Sequence, residues 1–164
     1  MIRSSMPNDL LSIGHVYCAA WKAAYRGIVP DGFLDRLTDE NCAPRSLHSC
    51  GSLVCEADGR IVGVAAFGAR RDQPDEKTGE LYSIYVLPEF WRTGAGSALF
   101  ESARKQLREE GYESLFLWTL TENTRARRFY EKMGMEACRT RTITIGGRGL
   151  SETGYIQMLP LGNQ

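Results

Sequence analysis

The sequence predicts a mixed α/β (α+β) domain: three short helices, then a sheet interrupted by two longer helices. Three observations carry this. Asp58-Gly59 separates two strand-like runs, the mark of a two-residue hairpin. Glu80–Leu87 is apolar on both faces, as a central strand covered on both sides must be. Two helical segments downstream stop at glycines, Gly111 and Gly134, which accept the left-handed conformation after a last helical turn.

The elements follow in order. Leu10, Leu11, Val16, Ala20, Trp21, Ala24 and Tyr25 recur at three-to-four spacing, so residues 8–26 form an amphipathic helix ended by Gly27. Pro30-Asp31 opens a short helix to about Leu37, and a weak helix covers Glu40 to His48, broken near Pro44. Ser52–Glu56 and Arg60–Phe67 are the hairpin strands, and residues 68–79 are a polar loop. Gly94 to Glu110 is a helix with Ala95, Leu99, Ala103 and Leu107 on one stripe. Leu115–Leu120 is a buried strand. Thr121 caps a helix through Met133, with Glu122 suited to its dipole. Arg139–Ile145 and Thr153–Leu159 are strands joined by a loop holding Gly146, Gly147 and Gly149. The order is three helices, then βββ-α-β-α-ββ.

The 164 residues fit one domain with a real core, and no repeat or linker divides them. Lys+Arg equals Asp+Glu at 20 each, so nothing marks a nucleic-acid or membrane surface. No apolar run approaches the roughly 20 residues of a membrane span, and the first residues lack the apolar stretch of a secretion signal. The five cysteines form no C-x-x-C pair, and His15 and His48 show no ligand spacing with them. Free thiols in a reducing cytoplasm, without a metal, are the expectation.

The richest stretch is 81–99: strand, proline, a short turn Arg92-Thr93-Gly94, then a helix start. Such a turn aims free backbone N–H groups at one point, at the positive end of a helix dipole, and seats a phosphate. A phosphorylated cofactor is expected there.

Two segments carry a family resemblance. The first is Ile84-Tyr85-Val86-Leu87-Pro88 followed by Arg92-Thr93-Gly94-Ala95-Gly96. The second is Glu122 through Gly134, with Asn123, Ala126, Phe129 and Tyr130. With a strand between them, they resemble the GNAT superfamily of N-acetyltransferases over roughly residues 50–160. The resemblance implies a mixed, mostly antiparallel sheet whose central parallel pair splays apart, flanked by helices, with acetyl-CoA in the cleft. It implies that the backbone of Ile84, Tyr85 and Val86 pairs with the pantetheine arm. N–H groups of Arg92, Thr93, Gly94, Ala95, Gly96 and Ser97 would hold the pyrophosphate. Asn123 is assigned to the pantetheine arm and Tyr130 to the thiol sulfur, both on one side of a helix seven residues apart. Arg125, Arg127 and Arg128 offer an adenosine-phosphate contact, against solvated helix charges.

The chain departs from the family at two points. Trp91 stands where the family usually has Gln or Arg, with Arg92 beside it to offset the lost charge. Trp118 stands where some relatives place a catalytic glutamate, five residues before the asparagine. Glu80, at the start of the central strand, is then the candidate base. Trp21 and Tyr25, at i and i+4, form an aromatic wall for the amine, or else core; Tyr155 joins from the last strand.

The implied activity is direct acetyl transfer from acetyl-CoA to a primary amine of a small molecule or peptide. The alternative is a non-catalytic acyl-CoA-binding sensor or regulatory module. A Rossmann unit is disfavoured, because the G-x-G lacks the third glycine and a ribose-binding acid. Residues 1–50 form an acceptor-side helical segment, 51–134 the acetyl-CoA core and 135–164 the C-terminal hairpin, whose edge strands leave room for a homodimer.

Overall fold

In the computed structural model, residues 1–45 and 49–160 are described. The chain begins with a strand the periodicity does not announce, β1 (Ile2–Ser4). Three residues are too few for an alternation, and tertiary pairing with β2 fixes them. A 3-10 turn (Pro7–Asp9) leads into α1 (Leu10–Tyr25), followed by Gly27 at φ +85°. Next come α2 (Asp31–Asp35) and α3 (Asp39–Cys42). The third helix is shorter than expected. Thr38 caps it, accepting from Asn41 N–H, and Ala43 is extended because Pro44 follows. Residues 46–48 of the expected helix lie outside the described residues.

The sheet strands are β2 (Gly51–Ala57), β3 (Arg60–Ala69), β4 (Thr78–Val86), β5 (Ser114–Leu120), β6 (Glu136–Ile145) and β7 (Arg148–Met158). Asp58 and Gly59 both take positive φ (51° and 74°), which closes the β2–β3 hairpin tightly. Gly146 and Gly147 do the same (56° and 79°), so β6 and β7 run almost into each other where a longer loop was expected. The other helices are α4 (Ala95–Glu109) and α5 (Thr124–Lys132). Thr121 is not the cap of α5. Asn123 is, its Oδ1 accepting from the Ala126 N–H at 3.2 Å, while the Thr121 hydroxyl bonds Ser151 and Thr153 on β7.

The seven strands form one mixed sheet in the order β1-β2-β3-β4-β5-β7-β6. All neighbours are antiparallel except β4 and β5. The Leu99, Ala103 and Leu107 stripe of α4 packs on one face with Leu115, Leu117 and Tyr130. On the other face, Tyr25, Val29 and Leu34 from α1–α2 cluster with Leu120. The α4 stripe is buried from Leu99 to Leu107, whereas α1 buries Val16, Ala20 and Tyr25 of its stripe together with Ile13 and leaves Leu11 exposed, at about 25 cal/mol per Å² of apolar area removed from water.

The β3–β4 register shifts at one point: Ala66 pairs with Ser83, but Phe67 pairs with Leu81. Tyr82 is the extra residue of a β-bulge. Before it, a Cβ on Gly79 would meet Leu107 of α4. After it, Ser83 bonds Tyr17 and Tyr85 bonds Tyr25, both on α1. Residues of the same parity therefore face opposite sides before and after the bulge. Among the described residues, no helix is long and apolar enough to cross a membrane.

Candidate active site

The parallel pairing of β4 and β5 stops at Glu80↔Phe116. Beyond it, β5 stays paired to β7 as far as Leu120↔Glu152, and β4 stays paired to β3 as far as Val86↔Gly63. The facing edges of 81–86 and 117–120 are thus left apart, and the sheet forks. Leu87 N–H donates to Val62 C=O at 2.8 Å. By antiparallel alternation, Tyr85 also turns its backbone groups toward β3, whereas those of Ile84 and Val86 point into the fork. The Val86 carbonyl is already engaged, accepting from the Trp91 indole N–H at 2.8 Å.

At the open end lies the turn before α4. Arg92 (φ 65°) and Gly94 (φ 92°) are both left-handed. The N–H groups of Arg92, Gly94, Ala95, Gly96 and Ser97 find no backbone acceptor among the described residues; Thr93 N–H reaches Phe90 C=O at 3.4 Å. No acidic residue occupies the first turn of α4. Free donors, a helix N-terminus and alternating left-handed residues together make an anion seat. Arg125 adds charge: its guanidinium stacks 3.3 Å from the Trp91 ring centroid. Burial and the nearby Arg92 cation hold the Arg125 group below its usual range, while the Tyr25 and Tyr130 phenols pull it back.

Tyr130, on α5, is 8% exposed, and its hydroxyl has no hydrogen-bond partner among the described residues. Burial pushes the phenol well above 10, the neighbouring Tyr25 adds to this, and Arg125 partly offsets it. Tyr130 is therefore a neutral O–H donor with no acceptor among the described residues. Asn123, at the start of the same helix, is also buried, with its oxygen spent on the helix cap.

The other side of the fork is lined from α1 and β4. Tyr25 and Tyr85 share a hydrogen bond at 3.1 Å, and Trp21 meets Tyr25 edge-on at 4.7 Å. Trp21 also approaches Phe33 and Tyr85. Burial raises both the Tyr25 and Tyr85 phenols. Tyr17 bonds the Ser83 hydroxyl. Sequence reasoning missed Tyr17, Ser83 and the Tyr85 side chain. The four-residue step from Tyr17 to Trp21 was a usable signal; the bulge that turns Ser83 and Tyr85 to this side left none.

Glu80 sits at the fork point and is 2% exposed. Its carboxylate accepts from Arg71 Nη2 at 2.7 Å, Arg71 Nε at 3.3 Å and the Arg71 backbone N–H at 2.9 Å. This partner was not foreseen, and it is what permits a carboxylate there to be buried. Tyr155 does not join the aromatic wall. It is fully buried on the α5 side, its ring 6.2 Å from that of Tyr130. Its hydroxyl accepts from Arg127 Nε at 3.0 Å and donates to Glu131 Oε1 at 2.9 Å. The even residues of β5 face α1, and in the antiparallel ladder Leu117 opposes Tyr155, which puts that ring on the other face.

Comparison with known proteins agrees with this fold. The model of the Acetyltransferase (GNAT) family matches residues 15–135. An uncharacterized N-acetyltransferase, YuaI of Bacillus subtilis, is 31% identical over 158 residues, covering 93% of this chain and 90% of that protein. An uncharacterized N-acetyltransferase of Archaeoglobus fulgidus is 39% identical over 133 residues, covering 79% of this chain and 88% of its own. Among solved structures, yncA of Salmonella typhimurium, a putative acetyltransferase with its cofactor acetyl-CoA, superposes with a TM-score of 0.74 at 24% identity, over 98% of this chain and 94% of that one.

Proposed function

The chain belongs to the GNAT acetyltransferase family, and from that premise we propose that it moves an acetyl group from acetyl-CoA directly to a primary amine of a small molecule or peptide. The observation that carries this reading is the Tyr130 hydroxyl, without a hydrogen-bond partner among the described residues on an otherwise buried ring, in a forked sheet that also has a fan of free N–H groups.

The residues present fit acetyl-CoA. The N–H groups of Arg92, Gly94, Ala95, Gly96 and Ser97 suit its diphosphate, with Arg92 and Arg125 beside them. The fork-facing backbone of Ile84 and Val86 suits the amides of its arm, Val86 through its N–H, since Trp91 holds its carbonyl. When bound, acetyl-CoA supplies an activated acyl group on a thiol leaving group of pKa about 8.5.

Two proton problems remain for the chain. A lysine-like amine, pKa about 10.4, must lose a proton at a cost of roughly 4–5 kcal/mol at pH 7. The wall of Trp21, Tyr25 and Tyr85 disfavours its charged form by desolvation, and Glu80 is our candidate to take the proton. As the C–N bond forms and the C–S bond breaks, sulfur gains charge. Tyr130 is raised above an ordinary phenol, so full proton transfer to thiolate is uphill by more than about 2 kcal/mol. Its role is then to donate a hydrogen bond that strengthens as charge develops.

We assign residues 51–134 to the donor side, 1–50 and 135–164 to the acceptor side, and the free cysteines to a reducing cytoplasm. The exposed edge of β6 is where a second copy would pair. Thermal shift with acetyl-CoA, CoA and NAD, followed by a thiol-release screen over amines, amino acids and peptides, tests the activity. Binding without thiol release under any acceptor would leave only the sensor reading.

A further inference from the structure

The acceptor side of the fork has a second wall, and its chemistry differs from the first. Phe116 and Trp118 lie on the α1 face of β5, at the fork point and two residues past it. Three arginines lie over these rings, and a fourth, Arg71, adjoins at Glu80. Arg70 stacks 3.9 Å from the Phe116 centroid and Arg141 4.2 Å from that of Trp118. Arg139 stands 5.3 and 5.9 Å from the same two rings. Arg71 is the partner of Glu80.

Three of these cations have carboxylates: Arg70 has Asp72 at 2.8 Å, Arg71 has Glu80 and Arg141 has Glu152 at 2.7 Å. Arg139 has none among the described residues; it donates only to Gln73 Oε1 at 2.9 Å. Arg70 is 94% buried by its 6% exposure, yet its Nη2 has no acceptor among the described residues. A buried guanidinium nitrogen without an acceptor is costly and marks a place where one is wanted. The wall shares the α1 face of the sheet with the phenols: Leu120, two residues past Trp118 and on the same side of β5, clusters with Tyr25. Guanidinium over an aromatic face is held in a fixed plane, ready for bidentate pairing with a carboxylate.

We propose that the acceptor is an amine that also carries a carboxylate, its nitrogen at the phenol wall and its carboxylate on the guanidinium floor around Arg139 and Arg70. The inference rests on the acetyltransferase reading of the same fork and names its substrate class. Polycationic amines are disfavoured by the same floor. Trp118, which the resemblance sets where some relatives carry a glutamate, is here a platform for the Arg139 and Arg141 cations.

The test compares free L-amino acids with their α-carboxamides and decarboxylated amines, and with short peptides beginning in Asp or Glu, by thiol release from acetyl-CoA. The expected result is kcat/KM at least tenfold higher for the carboxylated member of each pair. Preference for the free amino acids assigns the α-carboxylate; preference for the peptides assigns a side-chain carboxylate. Arg139→Gln should shrink the preference about tenfold or more, and added salt should weaken it. Arg104→Gln, on the surface of α4, should leave it unchanged. Equal or better turnover of the amides and decarboxylated amines overturns the inference while leaving acetyl transfer intact. If no amine is acetylated at all, transfer itself fails, and calorimetric titration of the same compounds into the acetyl-CoA-saturated protein decides: only salt-sensitive, carboxylate-dependent binding sustains the proposed floor.

Discussion

Replacing Tyr130 by Phe separates chemistry from architecture. The substitution removes one oxygen and leaves the ring packed against Phe100 and Phe129. The hydroxyl has no hydrogen-bond partner among the described residues, so no protein bond is lost on folding. Stability should then stay within about 1 kcal/mol, and Tm within a few degrees. The transition state loses a donor to a developing thiolate. A hydrogen bond to a charged group is worth about 1.5–3 kcal/mol, and positioned acid catalysis typically about 10²-fold or more. We therefore expect kcat to fall about 10²-fold, with KM for acetyl-CoA within about threefold. Tyr155→Phe is the matched control. It removes two charge-assisted bonds, to Arg127 and Glu131, so it should cost roughly 2 kcal/mol and about 4–8 °C in Tm while kcat holds. Thiol-release kinetics and thermal melts on both variants suffice. An unchanged kcat in Tyr130→Phe, or a loss matched by an equal loss in Tyr155→Phe, would remove Tyr130 from the chemistry.

Three further outcomes are expected. Glu80→Gln keeps an acceptor for Arg71 but removes the charge, so kcat/KM should drop at least tenfold and its pH dependence should change; an unaltered profile would assign the base to another group or to water. Gly94→Ala places a side chain at φ 92° with no atom within 4 Å of it, so the cost is backbone strain of about 1–2 kcal/mol and a higher KM for acetyl-CoA, measured by melts and donor titration. The Arg3 guanidinium, 2.7 Å from Asp9, and the Met6 N–H hold the Asp9 carboxyl below its ordinary 3.8. A lowered folded value gives stability that is present above about pH 4 and lost as pH falls through the folded value. Asp9→Asn should thus lower Tm near pH 7 by a few degrees, and the gap should close toward pH 3; a gap that persists in acid counts against the linkage.

Much of the fold was legible because it follows local rules. The Asp58-Gly59 hairpin, the α4 stripe and the glycine stops need only near neighbours in sequence. The left-handed turn before α4 was legible for the same reason: its glycines and the helix start lie within a few residues. What escaped depends on distant partners. β1 exists because β2 offers an edge, and Thr121 bonds across to β7 instead of capping α5. Tyr155 looked equivalent to Tyr25 as an aromatic near the cleft, but strand parity set it on the opposite face. Arg71 and Glu80 are nine residues apart, yet only the closing of the 70–77 loop brings them together.

The single surplus residue at Tyr82 has a consequence for any redesign of this chain. Excising it would restore an unbroken ladder with β3, and one half of the strand would have to rotate. Either Ser83 and Tyr85 would swing under α4, or Glu80 would leave the fork point. A one-codon deletion would thus turn the lining of the candidate site inside out, and grafts taken from relatives must preserve that frame.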